Sequence, residues 1–197
     1  MKKLIAIMAF VIISTGAIAQ SEGFTKGSLF LSGSVGFNST KDENSDVKSN
    51  NFNFSPKLGY FVTDKVAIGL NVGIGSSKAE DNANNELKEM TTAIGLFGRY
   101  YFTPANKFSM FLNLGVDYVS IKEEETGSPD FEVNGFDIGL SPGLHYFISN
   151  RLALETSIGF LGYSTRKPDV DGAKSVNSFG LNLGLSSVSL GLVFKIK

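Results

Sequence analysis

His145 is the only histidine in the chain, and Ser141 and Glu155 lie near it in a stretch of alternating apolar and polar residues. Serine, histidine and a carboxylate are the parts of a nucleophilic acyl-transfer site, in which the base must reach the nucleophile by a hydrogen bond. Four residues of extended chain put Ser141 about 13 Å from His145, too far for that bond. No catalytic residue is assigned, and an enzyme is not expected.

The same alternation gathers more charge on the small, polar face: Lys57, Arg99, His145 and Glu155 toward one end, Asp117 and Asp137 toward the other. Charged groups in a poorly solvated interior cost several kcal/mol each unless paired. The six are expected to form a structural plug, or a gate if ion-pair partners can exchange, and the sequence does not say which base meets which acid. Two further segments carry acid. "KEEETGSPDFE" (122–132) offers carboxylates that suit a hard cation, but Gly127-Ser128-Pro129 suits the tip of a solvated loop. "PDVDGAK" (168–174) matches a fragment of a calcium loop and lacks its other ligands. No metal site and no cofactor are expected.

The elements that must position these groups are strands. From Val66 to Gly75, the residues Val66, Ile68, Leu70, Val72 and Ile74 fall on one face, with Ala67, Gly69, Asn71, Gly73 and Gly75 on the other. The same pattern predicts eight strands, near 27–37, 52–62, 66–76, 91–102, 108–121, 133–148, 152–164 and 178–196. The last changes parity between Leu185 and Leu190, so a bulge is expected at Ser186-Ser187, with a tight turn as the rival. Three connections are short and alike, each with an aromatic pair before a polar turn carrying a base: "YFVTDK", "YYFTPANK" and "YFISNR". Four are long and polar, about 38–51, 77–90, 122–132 and 165–177. Short and long alternate, which predicts an all-β, eight-stranded antiparallel up-and-down barrel with short turns on one rim.

Two solvents fit such a barrel, since a lipocalin-like barrel turns its apolar face inward and a transmembrane one turns it toward lipid. The Gly-, Ser-, Asn- and Ala-rich face is too poor in charge to be the outside of a soluble protein. Tyr60, Phe61, Tyr100, Tyr101, Phe102, Tyr146 and Phe147 lie beside the short turns, and Phe37, Phe52, Phe54, Tyr118, Phe136 and Phe160 lie nearer the long loops. Two aromatic levels around an aliphatic band mark the two membrane interfaces, with Tyr60, Tyr100, Phe102 and Tyr146 as the expected short-turn girdle. A transmembrane β-barrel is the expectation, and a soluble secreted ligand-binding barrel is the alternative.

The start of the chain agrees. "MKKLIAIMAFVIISTGAIAQ" has a basic start, an apolar middle and the small-residue pattern Ala17-Ile18-Ala19, so residues 1–19 read as a signal peptide and 20–197 as the barrel domain. The net charge of -1 gives no basic surface for nucleic acid. There is no cysteine for a disulfide, a thiolate metal site or lipidation.

The repeats "SPKLGYFVTDKVAIGLNVG" and "SPGLHYFISNRLALETSIGF" resemble the small outer-membrane β-barrel domain proteins of the porin-family type found in Bacteroidetes. The resemblance implies an outer-membrane location and insertion by the barrel-assembly machinery. The sequence departs from the commonest C-terminal pattern of such barrels, with Phe194 three places before Lys197. The expected protein is a monomer in outer-membrane lipid, structural or surface-interacting through four external loops that meet an extracellular partner. A narrow small-solute channel is the functional alternative.

Overall fold

The computed structural model describes residues 23–42, 47–80, 85–182 and 188–197. The expected signal peptide, 1–19, and the expected break at 186–187 lie outside the described residues. Ten segments follow in order: β1 (Leu29–Asp42), β2 (Val47–Phe61), β3 (Val66–Glu80), β4 (Glu86–Tyr101), β5 (Phe108–Glu125), β6 (Phe131–Phe147), β7 (Leu152–Ile158), β8 (Phe160–Pro168), β9 (Val176–Asn182) and β10 (Val188–Lys195). They make eight barrel strands, because β7 and β8 succeed one another along β6, and β10 and β9 succeed one another along β7 and β8. Every pairing is antiparallel, and β1 closes the barrel on β10 through Phe30–Gly33.

The alternating apolar residues point outward. Leu70, Met110 and Ile138 are about half exposed, as are their same-face neighbours, while Phe61, Tyr101 and Phe147 are completely buried. An apolar exterior of this extent belongs in lipid, and the soluble lipocalin-like alternative falls with it.

Each short turn is built on a hydroxyl. Thr63 Oγ1 accepts from the backbone of Val66, Ser149 Oγ accepts from Leu152, and Thr103 Oγ1 donates to the carbonyl of Phe108. These local bonds take up backbone groups that the ladder leaves over at its end.

The four long connections are a correction to the sequence reading. Most of 38–51, 77–90 and 122–132, and nearly half of 165–177, is strand, since β1 runs to Asp42, β3 to Glu80, β5 to Glu125 and β8 to Pro168. Registers set inside the apolar band continue outward, as in Thr40 opposite Ser49 and Lys88 opposite Glu124. Strands of 14 to 18 residues in β1–β6 exceed the roughly 9–11 needed to cross a bilayer, so their loop ends form hairpins standing in water.

A second departure is at Gly159, whose φ of 66° places it in the left-handed region. Opposite β6 the pairing advances by one residue there, from Gly143–Ser157 to Leu140–Leu161, which is a bulge. Pro142, with no N–H to give the ladder, lies on β6 between those two pairs. The outward residues therefore change from even to odd, from Leu154 to Leu161 and Tyr163. Phe160 consequently lines the interior instead of joining the outer aromatic level.

Candidate functional site

The interior divides into a dense floor at the short-turn end and a wider chamber toward the loops. The floor has an ionic layer and an aromatic layer. Arg99 on β4 donates from both terminal nitrogens to Glu155 on β7, at 2.5 and 2.9 Å. Its Nε donates to Asn113 Oδ1 at 2.9 Å, and Nη1 also reaches the Tyr101 hydroxyl at 3.3 Å. The guanidinium carbon lies 4.5 Å from the Phe111 ring centre and 5.1 Å from that of Phe97. A forked, two-bond pair with further donors engaged by Asn113 and Tyr101 is an arrangement in which a buried charge is tolerated.

The rings around this pair fit because glycines lie beneath them. Phe30 is directly opposite Gly59, Phe97 opposite Gly69, and Phe111 opposite Gly143. A Cβ at Gly59 or Gly143 would stand 2.2 Å from the facing ring, and one at Gly69 would stand 2.5 Å from Phe97. Much of the small face thus receives the large side chains of its neighbours.

The aromatic layer contains Phe61, Tyr101 and Phe147, which the sequence reading had grouped with the interface aromatics. Each is the inward member of an adjacent pair whose partner, Tyr60, Tyr100 or Tyr146, points outward. Phe24 fills the centre, from a segment before the first strand that sequence reasoning did not connect with the barrel. Its ring centre is 4.7 Å from Phe61 and 5.1 Å from both Phe147 and His145.

The six expected interior residues do not form one cluster. Arg99 and Glu155 pair in the floor. Lys57 is close enough to be influenced by both of them and by Asp117. His145 sits directly opposite Glu155 in the register, but its ring packs among Phe24, Tyr101 and Phe147, with neither nitrogen hydrogen-bonded among the described residues. Asp117 accepts from Asn71 Nδ2, lying across Gly95. Asp137 forms a forked pair with Arg166 at 2.7 and 2.8 Å. Sequence reasoning missed Arg166 because it placed the residue in the long connection 165–177, whereas β8 runs on to Pro168. Following the register beyond the bulge would have placed it inside.

Above the floor is a cavity of about 500 Å³, lined by Asp117, Asp137, Arg166, Ser141, Phe160 and Gly139 among others. A Cβ on Gly139 or on Gly180 would meet nothing within 4 Å. Among the described residues, no group of three or more His, Asp or Glu side chains is placed to hold a metal ion. The chamber can offer carboxylates, a guanidinium and hydroxyls to a polar ligand, but Ser141 and His145 do not assemble there into a nucleophile and base.

Outside the apolar band, cross-strand pairs tie the hairpins. Glu86 receives Lys78 at 2.6 Å and Lys88 at 2.5 Å, and hydrogen bonds from these lysines hold its carboxyl below the usual glutamate range. Hydrogen bonds from Asn134 and Ser120 lower Glu132 in the same way, with Lys122 at 3.8 Å adding a smaller effect. Glu132, part of the acidic segment, is thus engaged within its own hairpin.

At the girdle, Tyr60, Tyr100, Phe102 and Tyr146 all face outward. Tyr100 and Phe102 meet edge to face at 5.3 Å, and the Lys107 ammonium lies 5.5 Å from the centre of Tyr146. At the other level Tyr118 and Phe136 form an outward cross-strand pair at 5.3 Å.

No curated protein matches the chain in sequence. Among solved structures, the barrel is similar to the outer membrane protein OprG from Pseudomonas aeruginosa, at 12% identity and a TM-score of 0.53, covering 88% of this chain and 97% of that one. It is also similar to the N-terminal β-barrel domain of Pseudomonas aeruginosa OprF, at 14% identity and a TM-score of 0.50, covering 87% of this chain and 99% of that one. At these identities the likeness concerns the fold alone. The outer membrane protein beta-barrel domain matches residues 5–186, nearly the whole length. The outward apolar band, the closed ladder and this match agree: the chain belongs to the outer membrane protein beta-barrel domain family and resides in the outer membrane.

Proposed function

We propose that this protein is a non-enzymatic, non-conducting barrel of the outer membrane, with a structural or surface-interaction role carried by the hairpins at its loop end. The single observation behind this reading is the filled floor, in which the Arg99–Glu155 pair and the surrounding rings leave the loop-side chamber ending blind. By the usual orientation of such barrels, short turns face the periplasm, so the chamber and hairpins face outward. On this reading a leader at 1–19 exports the chain, the assembly machinery inserts it as a monomer of the porin-family type, and an extracellular partner meets the hairpins. His145 serves packing, and replacing it abolishes no chemical activity.

Single-channel recording of purified protein in planar bilayers tests the proposal. No unitary current steps are expected. Reproducible steps would overturn it in favour of the narrow solute channel. That alternative draws support from Lys57, a second cation close to Glu155 that could take the carboxylate from Arg99 and part the floor.

A further inference from the structure

Residues 23–28 do not follow the rim of the barrel. They cross its short-turn mouth, from β1 to the turn between β4 and β5 on the opposite wall. Phe24 N–H donates to the Pro104 carbonyl at 2.7 Å, and the buried Lys195 ammonium on β10 donates to the Gly23 carbonyl at 2.6 Å. Nearer β1, Gly27 N–H donates to the Phe61 carbonyl and Phe61 N–H to that of Ser28, both at 2.9 Å. Lys26 N–H reaches Asp64 Oδ1 in the β2–β3 turn at 3.1 Å. Only glycine suits the first position, since Gly23 has a φ of 113° and a Cβ there would stand 2.4 Å from the backbone of Ala105.

The socket for Phe24 is assembled from separate strands: Phe30 of β1, Phe61 of β2, Tyr101 of β4, and His145 and Phe147 of β6, with ring centres 4.7 to 5.8 Å away. Lys195 adds β10. These strands surround the mouth together only when the first strand has met the last. The ladder itself begins at Leu29 and does not require the segment before it.

We propose that Gly23–Ser28 is a latch, which seats after the barrel has closed and locks it. The socket is complete only in the closed barrel, so seating of Phe24 reports closure, and the Lys195–Gly23 bond ties the last strand to the chain entering the first. The inward lysine two positions before Lys197 is, on this account, the anchor of the latch.

A contact made after the rate-limiting step of folding slows unfolding and leaves folding unchanged. The test uses protein purified from outer membranes, unfolded in urea and refolded into detergent micelles. Folding and unfolding are followed by the change in gel mobility between unheated and boiled samples, with trypsin cleavage after Lys26 as a local readout. Phe24→Ala is expected to unfold at least about 100-fold faster than the parent, the scale of a lost buried phenylalanine, and to fold within about twofold of its rate. Trypsin is expected to cut the variant after Lys26 while the barrel band persists, and to spare the parent. Lys195→Met removes the anchor at similar volume and is expected to divide its effect the same way. Slower folding equal to the faster unfolding would overturn late seating, as would unchanged unfolding. Failure of both variants to give a folded band would overturn it too, because the segment would then be needed to form the barrel.

Discussion

At the short-turn end of the interior, Gly59, Gly69 and Gly143 each lie under a phenylalanine ring, whereas Gly139 and Gly180 near the loop end face open space. The ion pairs differ in parallel. Arg99 is 1% exposed, held by its carboxylate partner and packed against a wall of rings, while the Asp137–Arg166 pair is roughly a third open to the chamber. One continuous ladder supports both halves, so backbone architecture does not decide whether this barrel is filled. Residue size opposite each glycine decides it.

Breaking the floor should have the largest effect. Glu155→Ala leaves the Arg99 guanidinium buried without its partner, and a loss of about 3–5 kcal/mol is expected in a urea titration read by gel mobility. The matching change in the chamber, Asp137→Ala, should cost less than about 1 kcal/mol because water can replace the carboxylate. Similar losses at the two sites would erase the distinction between the halves.

Next in size is a test of which face meets lipid. Leu70→Arg places a charge on the outer face at mid-depth and should cost about 2–4 kcal/mol with visible loss of assembled protein. Gly139→Leu enlarges an inward position with room to spare and should assemble normally. Equal tolerance of the two would contradict the facing.

A finer comparison uses a single methyl. Gly143→Ala should destabilise by about 1–3 kcal/mol because the facing Phe111 ring must move. Gly139→Ala should change stability by less than about 0.5 kcal/mol. Chemical unfolding of the two variants side by side would show whether the rings and glycines are as tightly matched as their distances suggest.

The smallest effect concerns acid and lies outside the membrane. Glu86 has a folded-state pKa below its unfolded value, so its contribution is present above the unfolded value of about 4.3 and is lost as pH falls through the lower, folded one. Faster amide exchange is expected at the loop-side ends of β3 and β4 as pH is lowered below about 4.3, after correction for intrinsic rates, with the floor strands unchanged. Unchanged strand ends would show that Lys78 and Lys88 add nothing there.

Much of the fold was legible because lipid and a small interior impose a strict two-residue period, and because three similar turns show themselves directly. The polar hairpin extensions were not legible, since strand residues in water on both faces alternate polar with polar and resemble loops. Inside the barrel, sequence parity set Arg99 and Glu155 on one face, but Arg166, which claims Asp137, was read as loop and lies beyond the one-residue bulge at Gly159. Phe24 was invisible for another reason: it precedes the first strand, and no periodic pattern links it to the socket it fills.

The matched phenylalanines and glycines carry a consequence for how the barrel finds its register. The pairs Phe30–Gly59, Gly69–Phe97 and Phe111–Gly143 fall in β1–β2, β3–β4 and β5–β6, each joined at the loop end, and the fourth such hairpin sets Glu155 opposite Gly191. A slip of two residues keeps every side chain on its proper face, so the pleat alone would not object. It would, however, bring Phe30 against Lys57 or Phe61, and Phe111 against His145 or up toward Ser141 at the chamber, in each case off the glycine that receives its ring. Each hairpin therefore carries its own key and lock, and can be proofread singly before any two of them meet.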